Sequence, residues 1–110
     1  MTTWPTTKGL TARLNTDAVR DYLQDDLPIT WGKLVEARMR EVGLRNVQVA
    51  VLADTTAQTI GKVIAGDIMP RDYLRFSIAA ALGTSVEKLF PMPSMAEIEQ
   101  RVTKRRRRVA

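Results

Sequence analysis

Apolar residues recur every three or four positions along most of the chain, which is the spacing of one face of an α-helix. The clearest row consists of Trp31, Leu34, Val35, Met39 and Val42. Thr30 stands before this row as a helix cap, and Gly43 follows it as a left-handed stop. No convincing β-hairpin pattern occurs, so the sequence predicts an all-α protein.

Similar signals predict helices on both sides of this row. An earlier helix covers Asp17 to about Asp26, with Asn15 or Thr16 as its cap and Asp25, Asp26 and Pro28 ending it. A later helix covers Arg71 to Leu82, stopped by Gly83, and Ser85 caps a short turn through Phe90. Ser94 with Glu97 forms a capping-box pattern, which opens a last helix running into Lys104–Arg108. Trp31, Met39, Leu74 and Phe76 are expected in the core.

Between these elements, Val47 to Ala53 is too short and too evenly apolar for periodicity alone to separate strand from helix. The order of residues from Asn46 onward favours two short helices. Ala50 is small where two helix backbones approach, and Asp54 tolerates a left-handed turn. Thr56 caps a second helix from Ala57 to about Ala65. The apolar residues that lock the pair onto the core are Val49, Ile60 and Val63.

Length and charge divide the chain into three parts. A length of 110 residues is typical of one domain. The three parts are a flexible arm over 1–15, a helical domain over 16–93 and a basic helix or tail over 94–110. The net charge is +5, and the last segment carries six basic residues against two acidic ones. A basic balance indicates a polyanionic partner but does not by itself identify one.

Composition argues against several classes of function. The chain has neither Cys nor His, which removes the common nucleophile, general base and transition-metal ligands. No paired carboxylates suggest catalysis, so we expect no enzyme activity, no cofactor and no small-molecule ligand. No stretch reads as a signal peptide or a membrane span. The expected location is the bacterial cytoplasm or nucleoid, with no membrane partner.

From about Trp31 to Phe90 the chain resembles the phage repressor/Cro-type (XRE-like) helix-turn-helix family. The resemblance is carried, in order, by Leu34-x3-Arg38, Gly43-Leu44, Val49-Ala50, Thr56-x3-Ile60, Gly66-x3-Pro70 and Ala81-Leu82-Gly83-x2-Val86-x2-Leu89. It implies a five-helix DNA-binding domain, here with an extra N-terminal helix and a basic C-terminal helix. Three features depart from the pattern: many relatives have Glu where this chain has Ile64, Gly61 lies inside the second short helix, and the turn has Asp54 where Gly is usual.

The resemblance implies that the second short helix reads bases in the major groove of double-stranded DNA. Its candidate readers are Ala57, Gln58, Thr59 and Lys62. Gln58 is the best of them, because its amide can bond bidentately to adenine. Candidate phosphate ligands are Arg45, Asn46, Thr56 and Arg71, and the tail Lys104, Arg105, Arg106, Arg107 and Arg108 can add nonspecific contacts. For each charged residue a solvated surface role is the alternative.

The leading hypothesis is therefore a sequence-specific transcription regulator, a repressor or Cro-like protein that occludes a promoter. A homodimer is one option, with Ala96, Ile98 and Val102 or the first helix supplying contacts; a monomer is the other. The alternative function is the antitoxin of a toxin–antitoxin pair. In that case the acidic segment Asp17–Asp26 would mask a basic toxin.

Overall fold

A computed structural model describes residues 16–109, with side chains placed over 17–103. Every regular element in this range is helical, which confirms the predicted all-α class. The elements in chain order are α1 (Thr16–Asp21), a π-helical turn (Tyr22–Asp26), α2 (Leu27–Val42), α3 (Asn46–Ala53), α4 (Ala57–Ala65), α5 (Asp72–Ala81), α6 (Val86–Leu89) and α7 (Met95–Val109). None of these helices combines the length and apolarity that a membrane crossing requires.

The chain forms two compact units. The central unit is Asp25–Met92, and the terminal unit consists, within the described residues, of 16–24 and 93–109. In the terminal unit Tyr22 packs with Ile98 and Val102 of α7, and all three are buried. These two α7 residues, which the sequence offered for a dimer contact, are therefore already covered within the chain.

The predicted boundary between the first two helices is wrong. Helical residues continue from Thr16 to Val42, and Pro28 is the second residue of α2 instead of a terminator. Proline is tolerated in the first turn of a helix because the N–H it lacks has no acceptor within the helix there. Thr30 caps nothing: its Oγ1 donates a hydrogen bond to the Asp26 carbonyl at 3.2 Å, from inside α2. Thr16 is already helical, and Asn15 lies outside the described residues.

The core of the central unit is built around Trp31, which is fully buried in α2. Its Nε1 donates to the Pro91 carbonyl at 2.9 Å, and its ring meets Phe90 edge-on with centroids 5.4 Å apart. The Arg75 guanidinium lies 5.2 Å from the Trp31 ring centroid. Predicted core residue Met39 is also buried, but Phe76 is 65% exposed, so its assignment to the core is wrong.

Two local caps begin α6 and α7 as the sequence predicts. Ser85 Oγ accepts from the Lys88 N–H at 3.2 Å, and Ser94 and Glu97 exchange hydrogen bonds at the start of α7. The bond that the Ser94 backbone N–H donates to the Glu97 carboxylate lowers the pKa of Glu97. Arg38 of α2 donates from Nε to the carbonyl of Leu82, the residue after α5, at 2.9 Å.

Candidate nucleic-acid interface

The centre of the candidate site is a pair of short helices, α3 and α4, joined by a three-residue turn. Asp54 adopts the left-handed conformation in this turn, with φ 57° and ψ 50°, as the sequence predicts. The Thr56 hydroxyl accepts from the Thr59 N–H at 3.1 Å and so caps α4. Val49 of α3 and Ile60 and Val63 of α4 are buried, which confirms that they anchor the pair in the core.

Two glycines bring α4 against α2. A Cβ on Gly32 would lie 2.6 Å from the Val63 carbonyl oxygen and closer still to that of Ile64. Gly66 ends α4 with φ 79°, and a Cβ there would lie 2.8 Å from the Ile29 Cα. The backbones of α2 and α4 are therefore in direct contact, which holds α4 in a fixed position. Gly32 was not among the residues that sequence reasoning singled out.

The outward side of α4 carries the predicted reading residues. Gln58 and Lys62 are exposed and lie four positions apart, so they project from the same face. Ala57 is half-buried at the first position of the helix. Thr59 is also half-buried, and its hydroxyl accepts from the Thr56 hydroxyl at 2.9 Å. Thr59 thus takes part in the cap, which leaves Gln58 and Lys62 as the two free polar side chains of this face.

The start of α3 lies beside the middle of α4. A Cβ on Gly61 would meet the Asn46 side-chain nitrogen at 3.7 Å, which is an ordinary contact distance. Asn46 is the first residue of α3, and Arg45 is its exposed N-cap, whose backbone N–H donates to Gln48 Oε1 at 2.8 Å. The structure therefore brings Asn46 next to the predicted reading helix.

A shallow groove at this end of α3 contains a residue that the sequence analysis missed. Arg40 of α2 lines it together with Arg45 and Asn46, and its guanidinium lies 3.7 Å from the Glu36 carboxylate. No sequence signal links Arg40 to the site, because it belongs to a different helix. The full lining is Glu36, Met39, Arg40, Leu44, Arg45, Asn46, Val47 and Ile64.

Ile64 is half-buried in the wall of the same groove, which Met39 and Leu44 also line. The groove wall is therefore partly apolar and partly charged, since Arg40 and Arg45 line it as well.

The remaining predicted phosphate ligands are spread over the chain. Thr56 is exposed as the N-cap of α4, and Arg71 is exposed as the N-cap of α5. Lys104, Arg105, Arg106, Arg107 and Arg108 fall within α7, but their side chains lie outside the described part of the structure. The predicted arm over 1–15 also lies outside the described residues.

Comparisons with models of known protein families, with curated proteins and with solved structures give no match.

The charge distribution of the α3–α4 pair suits an anionic ligand. Neither helix contains an acidic residue, and the one acid between them is Asp54 in the turn. On the described surface of this region Lys62, Arg45 and Arg40 supply three positive charges against the one negative charge of Glu36, which is paired with Arg40. The first amides of a helix also carry partial positive charge, because they have no acceptor within the helix.

Proposed function

We propose that this protein binds double-stranded DNA sequence-specifically, with α3 and α4 as a helix-turn-helix of the phage repressor/Cro type. The observation that carries the proposal is the two-sided character of α4. One side is fixed in the core by Ile60 and Val63, while the other side presents Gln58 and Lys62 to solvent. A rigidly held helix with free polar side chains is what reading of base edges requires.

The dimensions of α4 fit the major groove. With its side chains an α-helix is about 10–12 Å in diameter, and the major groove of B-DNA is about 12 Å wide. In this arrangement the N-terminal half of α4 approaches the base edges. Gln58 then bonds to adenine, and Lys62, one turn later, reaches a guanine or a phosphate.

The groove at the start of α3 supplies the backbone contacts in this proposal. Asn46 lies beside Gly61 of α4, so a DNA strand that passes α4 also passes the amide end of α3. Arg40 and Arg45 line the same groove and add positive charge. Such contacts fix the register of a protein on the duplex without reading its sequence. The function proposed for the complex is regulation of transcription by promoter occlusion.

Replacing Arg40 by Ala should weaken binding to all DNA sequences about equally. One lost phosphate contact should reduce the slope of log affinity against log salt concentration by about 1, without changing sequence preference. Fluorescence anisotropy titrations at several salt concentrations measure both quantities.

Arg20→Ala is the matched control for this experiment. Arg20 is also an exposed helical arginine beside an acid, 3.6 Å from the Asp17 carboxylate, but it lies in α1. The control should leave both affinity and slope unchanged. If Arg40→Ala behaves like Arg20→Ala, Arg40 is not part of the interface.

The proposed function is tested by selecting DNA from a random pool with the full chain and sequencing the retained fraction. The expected result is an enriched motif. A promoter fragment that contains this motif should then compete with the selected DNA for the protein. Retention of DNA without enrichment would exclude a specific regulator and leave a nonspecific binder. No retention at low salt would reject DNA binding altogether, since nonspecific affinity is highest there.

A further inference from the structure

A groove on the central unit lies outside the proposed DNA interface. It has a volume of about 790 Å³ and runs between α2 and residues 83–89. We call it the α2–α6 groove. Its lining is Leu34, Ala37, Arg38, Glu41, Gly83, Thr84, Ser85, Lys88 and Leu89. This lining includes none of the predicted reading residues or phosphate ligands, so the proposed DNA contacts do not account for the groove.

The groove lies on the side of α2 that faces away from α4. Gly32 marks the side of α2 that is in contact with the α4 backbone. With about 3.6 residues per turn, the four groove residues of α2 lie about 140–240° around the helix from Gly32. A short segment bound in the groove is therefore separated from α4 by α2, and it does not cover Gln58 or Lys62.

Hydrogen bonds hold the Arg38 side chain in place at the polar end of the groove. Its guanidinium donates from Nε to the Leu82 carbonyl at 2.9 Å and from Nη2 to the Gly83 carbonyl at 3.3 Å. Nη1 donates to the Glu41 carboxylate at 2.9 Å. A guanidinium has five N–H donors, so the three bonds to described residues leave Arg38 with two more. The groove therefore has a fixed cation that already binds one carboxylate and can bind another.

The charge of the lining favours a negatively charged occupant. Lys88 is exposed and forms no ion pair with another residue in the range 17–103. The negative charge in the lining is that of Glu41, which is paired with Arg38. The groove thus carries two positive charges against one negative charge, and Lys88 is the cation without a partner. Beside these charges the lining is apolar, at Leu34 and at the buried Leu89.

We propose that the α2–α6 groove binds a short acidic segment of another protein. An apolar side chain of this segment contacts Leu34 and Leu89, and a carboxylate next to it binds Lys88 and Arg38. A small molecule fits less well, because small-molecule sites enclose most of their ligand and six of the nine lining residues here are exposed. The inference goes beyond the proposed function and does not depend on DNA binding.

Peptide display on the immobilised full chain, without DNA, tests the proposal. The library consists of random peptides of about 12 residues, which is long enough for about three helical turns. Selection is done at about 0.15 M salt, where the attraction between distant surface charges is screened. The enriched peptides should combine acidic residues with a large apolar residue. A library that gives no enriched peptide would overturn the proposal.

NMR titration of the full chain with one enriched synthetic peptide locates the binding site. The backbone amide shifts should change at Gly83, Thr84 and Leu89, which line the groove. The competing site for an acidic peptide is the basic run 104–108 of α7. Shift changes confined to that run or to α4 would overturn the proposal. Groove shifts that change with protein concentration in the absence of peptide would assign the groove to a second copy of the chain and overturn it as well.

Two variants of the groove test its charge and its shape. Lys88→Glu should weaken peptide binding by about 10-fold or more, because it places a like charge beside the bound carboxylate. Ala37→Trp should have a similar effect, because the larger side chain fills the groove. Both residues are exposed, so both variants should stay folded by circular dichroism.

Lys33→Glu and Ala96→Trp are the matched controls for these variants. Lys33 is an exposed lysine of α2 outside the groove, and Ala96 is an exposed alanine of α7. Each control should leave the dissociation constant within about twofold. Peptide binding that is as tight with Lys88→Glu and Ala37→Trp as with the controls would overturn the proposal. Because no DNA is present, none of these results bears on DNA binding, which the random-pool selection tests separately.

Discussion

Replacing Gly32 by Ala should destabilise the central unit by about 3 kcal/mol or more. The added Cβ would lie 2.6 Å from the Val63 carbonyl oxygen and closer still to that of Ile64. Both obstacles are backbone atoms of α4, so no side-chain rotation can relieve the clash. The helices must move apart, and the packing of Ile60 and Val63 is lost with the contact.

Thermal unfolding followed by circular dichroism measures this effect. For a unit of this size a loss of about 3 kcal/mol lowers Tm by about 12–24 °C. The same variant should lose DNA affinity in proportion to the unfolded fraction. A decrease of only a few degrees would mean that α2 and α4 are not in backbone contact, contrary to the structure.

Gly61→Ala is the matched control, because it makes the same change in a helix interior where there is room. A Cβ at Gly61 meets only the Asn46 side-chain nitrogen, at 3.7 Å. This variant should stabilise the chain by about 0.5–1 kcal/mol, the usual gain of Ala over Gly in a helix. It also tests whether DNA approaches the backbone at Gly61: a more stable variant that binds DNA less well would indicate such an approach, and unchanged DNA binding would indicate a tolerated surface glycine.

The parts of the fold that the sequence predicts are those set by local chemistry. Thr56 bonds to an amide three residues away, and Asp54 and Gly66 adopt left-handed conformations that few other residues tolerate. Because these interactions occur within a few residues, the bounds of α3 and α4 can be predicted from the sequence alone. The exposure of Gln58 and Lys62 follows in turn, because it depends on where α4 begins.

The parts that could not be predicted depend on residues distant in sequence. The sequence does not distinguish Gly32 from any other glycine in a helix, because its contact with the α4 backbone depends on how the helices pack. Arg40 lines the groove because α2 passes the start of α3. Phe76 is expected in the core as one of the apolar residues of its helix, but α5 has more apolar residues than one face can bury. The sequence predicts that Pro28 ends a helix. A proline in the first turn of a helix can be recognised only when the start of that helix is known.

Replacing Gln58 by Ala should relax DNA specificity at one base pair by about 1–3 kcal/mol, which is about 5- to 150-fold in relative affinity. Gln58 is exposed at the second position of α4 and is outside the Thr56–Thr59 cap. Its side chain therefore contributes little to stability, and its removal should leave Tm nearly unchanged. The change should be confined to the position at which adenine is preferred.

A random-pool selection with wild type and variant, followed by competition among single-base variants of the enriched site, measures this change. Gln100→Ala is the matched control, as Gln100 is an exposed helical glutamine on α7. It should give the wild-type motif. If Gln58→Ala lowers affinity equally for every sequence, Gln58 contacts the DNA backbone and base reading must come from another residue of α4. Lys62 is then the remaining free polar side chain on that face, and Lys62→Ala should alter the motif instead.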